Sequence, residues 1–216
     1  RALGGLVLVD TVPADLERAR FRASADVLDG SAQGSTPLGA HGAVGAGVRY
    51  GYVDRWLPRL LAPELLGLYR IPSYWDSHAE LFRSLGAGQT LRVRWLSSAD
   101  QRQTELSSSD PALRTTAREE QSFGRLYLQY RTPRVSVTPF VGWDAQEDGL
   151  RVGSERAELD TRALRYGMRA LYRERLSARL SLLLGVDASG SIARNRREGS
   201  LSVPRREGSP YPFGAP

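Results

Sequence analysis

Asp76, His78 and Glu80 stand at i, i+2 and i+4 in the segment Pro72–Glu80. An imidazole between two carboxylates is a donor set for a divalent cation. If the segment is a strand, all three share one face, but the outer two lie about 13 Å apart, too far to hold one ion. They are expected to be polar-face residues that hydrogen-bond to neighbours. A second constellation is basic: Arg20 with Arg22, Arg49, and Arg92 with Arg94, the paired ones two residues apart. Such guanidinium groups on one face could draw in an anionic small molecule or pair with acids. Arg165 and Arg169 pose the same alternative. Arg20, Arg22, Arg49, Asp76, His78, Glu80, Arg92 and Arg94 are therefore the candidate substrate-contacting residues. With 2 His and no Cys, thiol catalysis, Cys-based zinc sites and disulfides are excluded. His41 reads as a turn residue and His78 as a strand residue, so no Ser/His/Asp constellation forms. The glycines around Gly45 and Gly47 lack the Lys-Ser/Thr of a phosphate loop and precede no helix; they are expected to ease sheet curvature or the close approach of another domain. No enzyme, cofactor or metal site is expected.

The elements that would position these residues are strands. Alternation at period two recurs along the chain. Leu180, Leu182, Leu184 and Val186 oppose Arg179, Ser181, Gly185 and Asp187; Leu164, Met168, Ala170 and Tyr172 oppose Arg165, Gly167 and Arg169; Val135, Val137, Val141 and Trp143 oppose Ser136, Thr138 and Gly142. Comparable faces recur in 19–27, 42–54, 74–85, 89–98 and 119–131, with a weaker strand over 30–37. This makes about nine strands, many longer than the globular average. The predicted connections alternate. Gly39-Ala-His-Gly42, Gly86-Ala-Gly88, Thr132-Pro133 and Arg173-Glu-Arg-Leu176 are tight, whereas 55–73, 99–118, 145–157 and the stretch after Ile192 read as long loops. The turn at Leu28-Asp-Gly30 is the tight exception. Residues 58–68 are apolar enough for a short helix.

Composition narrows the class. The 216 residues have a net charge of +6 and a mean hydropathy of −0.37. No apolar run reaches the roughly 20 residues of a membrane-crossing helix. All 30 basic residues are Arg, interspersed among 24 acids, with no basic run or nucleic-acid module, so no nucleic-acid partner is expected. Short turns at one end, long loops at the other and two-faced strands are the pattern of an outer-membrane β-barrel. Aromatic placement agrees. Tyr50, Tyr52, Trp75, Trp95 and Trp143 fall toward the long-loop ends of their strands on the apolar face, and Tyr130 and Tyr172 toward the short-turn ends, as two girdles would. Arg83 is the one charge on an apolar face, near a turn where it can snorkel. The expected fold is all-β: an antiparallel up-and-down transmembrane β-barrel meander, incomplete, about nine strands of a larger barrel. A soluble β-sandwich binding module is the alternative, and it predicts that the Leu180–Val186 face is buried between two sheets.

Several segments resemble a known family. Gly4-Gly-Leu-Val-Leu-Val-Asp-Thr11 resembles the last plug strand of TonB-dependent receptors. Ala23–Asp29 and Gly34-Ser-Thr-Pro-Leu-Gly39 resemble their first barrel hairpin, Arg49-Tyr-Gly-Tyr-Val-Asp54 the end of the next strand, and Pro72–Glu80 the start of the one after. Gly51 and Thr36 depart from the family's usual Ser and Gly. The resemblance covers roughly residues 1–100. It implies a plugged barrel of about 22 strands, set in the outer membrane of a Gram-negative bacterium and taking up a scarce nutrient such as a ferric siderophore. The implied partners are outer-membrane lipid, the plug domain of the same full-length chain, a TonB-type energy-coupling protein and an anionic small-molecule substrate. Residues 1–14 would end the plug, 15–192 would form barrel strands, and 193–216 a truncated extracellular loop. A non-transporting barrel component of a surface complex is the functional alternative.

Overall fold

The computed structural model describes residues 17–60, 71–106 and 115–199. It is one antiparallel sheet of nine strands in chain order: β1 Arg20–Ala25, β2 Asp29–Pro37, β3 Gly42–Gly51, β4 Ile71–Gly86, β5 Gln89–Leu106, β6 Thr115–Arg131, β7 Val135–Val152, β8 Glu155–Arg175 and β9 Ser181–Gly199. A helix, α1 (Val53–Leu60), follows β3. Every neighbour in the sheet is also the neighbour in sequence, and β1 does not pair with β9, so the sheet is open. The expected all-β, up-and-down meander is the architecture observed. The proposed plug segment 1–14 and residues 200–216 lie outside the described residues.

The strands are longer than alternation alone indicates. β8 runs 21 residues and β5 18, the latter about 60 Å of extended chain. Three expected loops are corrected in consequence. Residues 145–157 form no loop: β7 and β8 continue to a two-residue turn, where Gly153 takes φ 56°. β5 and β6 likewise take in most of 99–118, and β9 carries 193–199 as strand, not loop. Charge on both faces erases the period-two signal there, while the backbone ladder continues regardless. The short turns fall at the expected end, but the last is displaced: β8 runs on through Arg175, so the turn expected at 173–176 lies at 176–180. The β4–β5 hairpin turns on Gly86, Ala87 and Gly88, all at positive φ, the backbone that two-residue hairpins require. The helix begins at Val53, five residues before the apolar stretch that predicted one. Trp56 anchors it, its indole N–H donating to the Val27 carbonyl at 3.0 Å.

Register sorts the two faces. One apolar row runs Ala46, Ala79, Trp95, Leu126, Val141, Tyr166, with Val44, Leu81, Val93, Leu128, Pro139 and Met168 in the next. Pro139 has no N–H to donate, and the β6–β7 ladder is interrupted opposite it. Among the described residues only Ala43, Val53 and Ala157 are buried apolar side chains. Among the described residues there is no second sheet: Leu184 is 54% exposed and Val186 63%. The sandwich alternative, which needs that face covered, is therefore not the observed fold.

Candidate functional site

All eight candidate residues lie on one face, the polar one, opposite the Leu126–Val141 face. Arg20 and Arg22 come from β1, Arg49 from β3, Asp76, His78 and Glu80 from β4, and Arg92 and Arg94 from β5. They form no single cluster. Asp76 stands directly opposite Arg49, yet Arg49 reaches the other way, to Asp29 at 2.5 Å. The Tyr74 hydroxyl also donates to Asp29, at 2.7 Å, and the Arg49 guanidinium lies over the Tyr74 ring, 5.2 Å from its centroid. Glu80 is buried and lies between Arg92 and Arg94, each with Nε at 3.6 Å. Arg94 donates to Gln129 at 3.2 Å, and Arg92 lies over the Phe82 ring. The His78 ring covers Gly47, and the Tyr74 ring covers Gly51. Gly47 and Gly51 thus each receive a neighbouring strand's ring, the packing by which aromatic side chains stabilise glycine in sheets. The Asp76/His78/Glu80 trio is not a metal centre, and no group of three His, Asp or Glu side chains is placed to hold an ion among the described residues.

The register brings together further charges that sequence spacing did not. Asp144 of β7 accepts from Arg125 of β6 on one side and Arg165 of β8 on the other. Arg125 also donates to the carbonyls of Gly124 (2.8 Å) and Trp143 (2.6 Å). Arg169 pairs with Asp187 directly across β8–β9, at 2.5 Å. Several of these contacts are diagonal: Asp144 stands opposite Phe123 and Ala163, and each arginine reaches it from two residues along, within the range of long side chains. A polar residue on the right face was the only sequence signal; its partner depends on register. Tyr127 and Phe140 pack nearby with tilted rings, their centroids 5.8 Å apart. The face is therefore polar and arginine-rich, with a small aromatic patch. Many of its guanidinium groups are engaged by carboxylates of the same sheet.

The opposite face is banded. From Leu164 to Tyr172 on β8, Val135 to Trp143 on β7 and Trp75 to Leu85 on β4, its residues are uncharged except for Arg83. Beyond Trp143 and Leu164 the same face turns to charge. Arg162 and Arg194 are paired neighbours, followed by Glu120, Glu147, Asp160 and Arg196. Tyr50 and Trp75 are cross-strand partners at the upper edge of the band. Trp95 and Trp143 both pack against Gly124. Tyr52 lies just past β3, over Gly30, and its hydroxyl donates to the Asp26 and Asp29 carbonyls, tying down the β1–β2 turn. Comparison of the chain with protein-family models, curated proteins and solved structures finds no match.

Proposed function

We propose that this sheet is part of the wall of an outer-membrane β-barrel, with its banded face toward lipid and its arginine-rich face toward a wet lumen. The observation that carries this reading is the band itself. It is 9–11 residues tall on β4, β7 and β8, about 20–25 Å once strand tilt is allowed for, close to the apolar height of such barrels. In water, a one-layer sheet would leave this face exposed at a cost of about 1.5–3 kcal/mol for each large side chain. The resemblance of residues 1–100 to TonB-dependent receptors extends the proposal to uptake. The full-length protein would take up a scarce, anionic nutrient such as a ferric siderophore, through a plugged lumen and with a TonB-type partner. One observation favours the non-transporting alternative: Arg49, Arg92, Arg94, Arg125, Arg165 and Arg169 are held by Asp29, Glu80, Asp144 and Asp187, which serves the wall as well as a ligand.

Tryptophan fluorescence tests the membrane reading. In full-length Trp56→Phe protein reconstituted into vesicles, lipids brominated along their chains are expected to quench Trp75, Trp95 and Trp143 strongly. Emission unaffected by bromine would end the proposal. Uptake of a labelled ferric siderophore by cells, with and without an active energy-coupling protein, separates transport from a structural role.

A further inference from the structure

The short-turn end of β6–β9 carries a dense charge of one sign. Arg131 ends β6, Arg134 lies in the next turn, Arg173 and Arg175 end β8, and Arg179 lies in the turn to β9. The acid among them is Glu174, which Arg134 approaches at 3.3 Å and to which the Tyr172 hydroxyl donates at 2.8 Å. Arg175 braces its own turn by donating to the Ser177 and Ala178 carbonyls. Arg131, Arg173 and Arg179 are exposed and form no ion pair among the described residues. The end of β8 is tied to the β6–β7 turn: the Arg173 amide donates to the Arg134 carbonyl at 2.7 Å. Five arginines and one glutamate thus crowd two adjacent hairpin ends. The far end of the same strands differs, with Glu119, Glu120, Glu147, Asp148, Glu155, Glu158 and Asp160 among its arginines.

Guanidinium groups gathered at one end of a sheet repel one another, and among the described residues no carboxylate pairs with Arg131, Arg173 or Arg179. Their orientation selects the kind of anion. Arg131 and Arg173 share the polar face with Gln129 and Leu171, as their register against Ser136 and Leu183 shows. A lipid headgroup would lie on the other face, below Tyr130, Tyr172 and Leu184, where Arg83 points. We infer that this basic rim docks an acidic polypeptide that reaches the sheet from the short-turn side. In the barrel reading that side is the periplasmic mouth; the inference rests on that reading only for the compartment the partner occupies. Planar guanidinium groups recognise carboxylates in bidentate fashion, and a multivalent acidic chain would satisfy several at once.

The test uses the full-length protein in nanodiscs of zwitterionic lipid, with a fluorescent 20-residue glutamate peptide as the probe. The protein should bind the peptide, and the Arg131→Gln/Arg173→Gln/Arg179→Gln variant should bind at least about tenfold more weakly in low salt. Among the described residues these three side chains make no ion pair or hydrogen bond, so the variant should assemble normally, as bromolipid quenching in the same discs would verify. The charge-matched control Arg194→Gln/Arg196→Gln/Arg197→Gln, at the other end, should bind like the parent. Three results overturn the inference: no peptide binding, equal losses in variant and control, or no peptide binding but attachment to phosphatidylglycerol vesicles that the first variant abolishes. The last would assign the rim to lipid. Loss of bromolipid quenching in the parent would instead refute the membrane reading and leave the peptide result standing on its own.

Discussion

At the scale of residues, three carboxylates of the polar face, Asp29, Glu80 and Asp144, each serve two partners. Asp144 is the clearest case. Its side chain is 28% exposed and lies against Arg125 at 15%, so this charge is partly withdrawn from water. Asp144→Asn keeps the shape but removes the charge that two arginines share. The expected loss is about 1–3 kcal/mol of folding stability, because one cation is left buried without its counter-charge. Asp187→Asn breaks the Arg169 pair, whose side chains are 62% and 55% exposed, and should cost less than about 1 kcal/mol. Urea unfolding of the full-length protein in vesicles would rank the two; the reverse order would mean that Arg125 finds water once Asp144 is gone. The same view accounts for the glycines. A side chain at Gly142 would run into the Gly124 carbonyl and Arg125, and one at Gly167 into Phe140. These positions are small because neighbouring strands' backbone carbonyls, Gly124 at Gly142 and Ala188 at Gly167, and the adjacent side chains already occupy the space.

At the scale of elements, each long strand has two halves with different surroundings. On β7, Val135 to Trp143 presents the apolar band, and Ala145 to Val152 stands beyond it among charges. Introducing one arginine at each depth separates them. Val141→Arg, mid-band, is expected to cost about 2–4 kcal/mol of stability in a bilayer, and Ala145→Arg, one row past Trp143, about 0–1 kcal/mol. Vesicle folding titrations check this, and equal costs would mean that lipid does not cover the band. The charged halves also account for the missed strand ends. Alternation reports a strand only while its two faces meet different solvents. Beyond Trp143 both faces carry polar groups, so the period disappears from the sequence although the hydrogen-bonded ladder continues.

At the scale of the whole molecule, the nine strands among the described residues, joined only to their neighbours, leave two edges, β1 at Arg20–Ala25 and β9 at Ser181–Gly199. Unpaired strand edges seek partners, the more so the longer they are, and in lipid each unmatched backbone group costs several kcal/mol. Residues 17–199 produced alone are therefore expected to associate in detergent through the β9 edge. Size-exclusion chromatography with light scattering would read this, and a compact monomer would show that the edge satisfies itself.

The sequence by itself determined the class of fold, the meander order, the short-turn end and which residues share a face, because period-two patterning follows directly from strand geometry and needs no knowledge of neighbours. It likewise placed Arg20, Arg22, Arg49, Asp76, His78, Glu80, Arg92 and Arg94 together on the polar side. Only the tertiary structure decided which charge meets which. Arg49 turns to Asp29, not to Asp76 opposite it, and Asp144 gathers Arg125 and Arg165 from strands on both sides. Such partnerships depend on register and on the diagonal reach of long side chains, and neither is written in the spacing along one strand. The same holds for the basic rim: its arginines belong to two hairpin ends separated by two strands in sequence, β7 and β8, and come to the same end of the sheet only when β6, β7, β8 and β9 fold back beside one another.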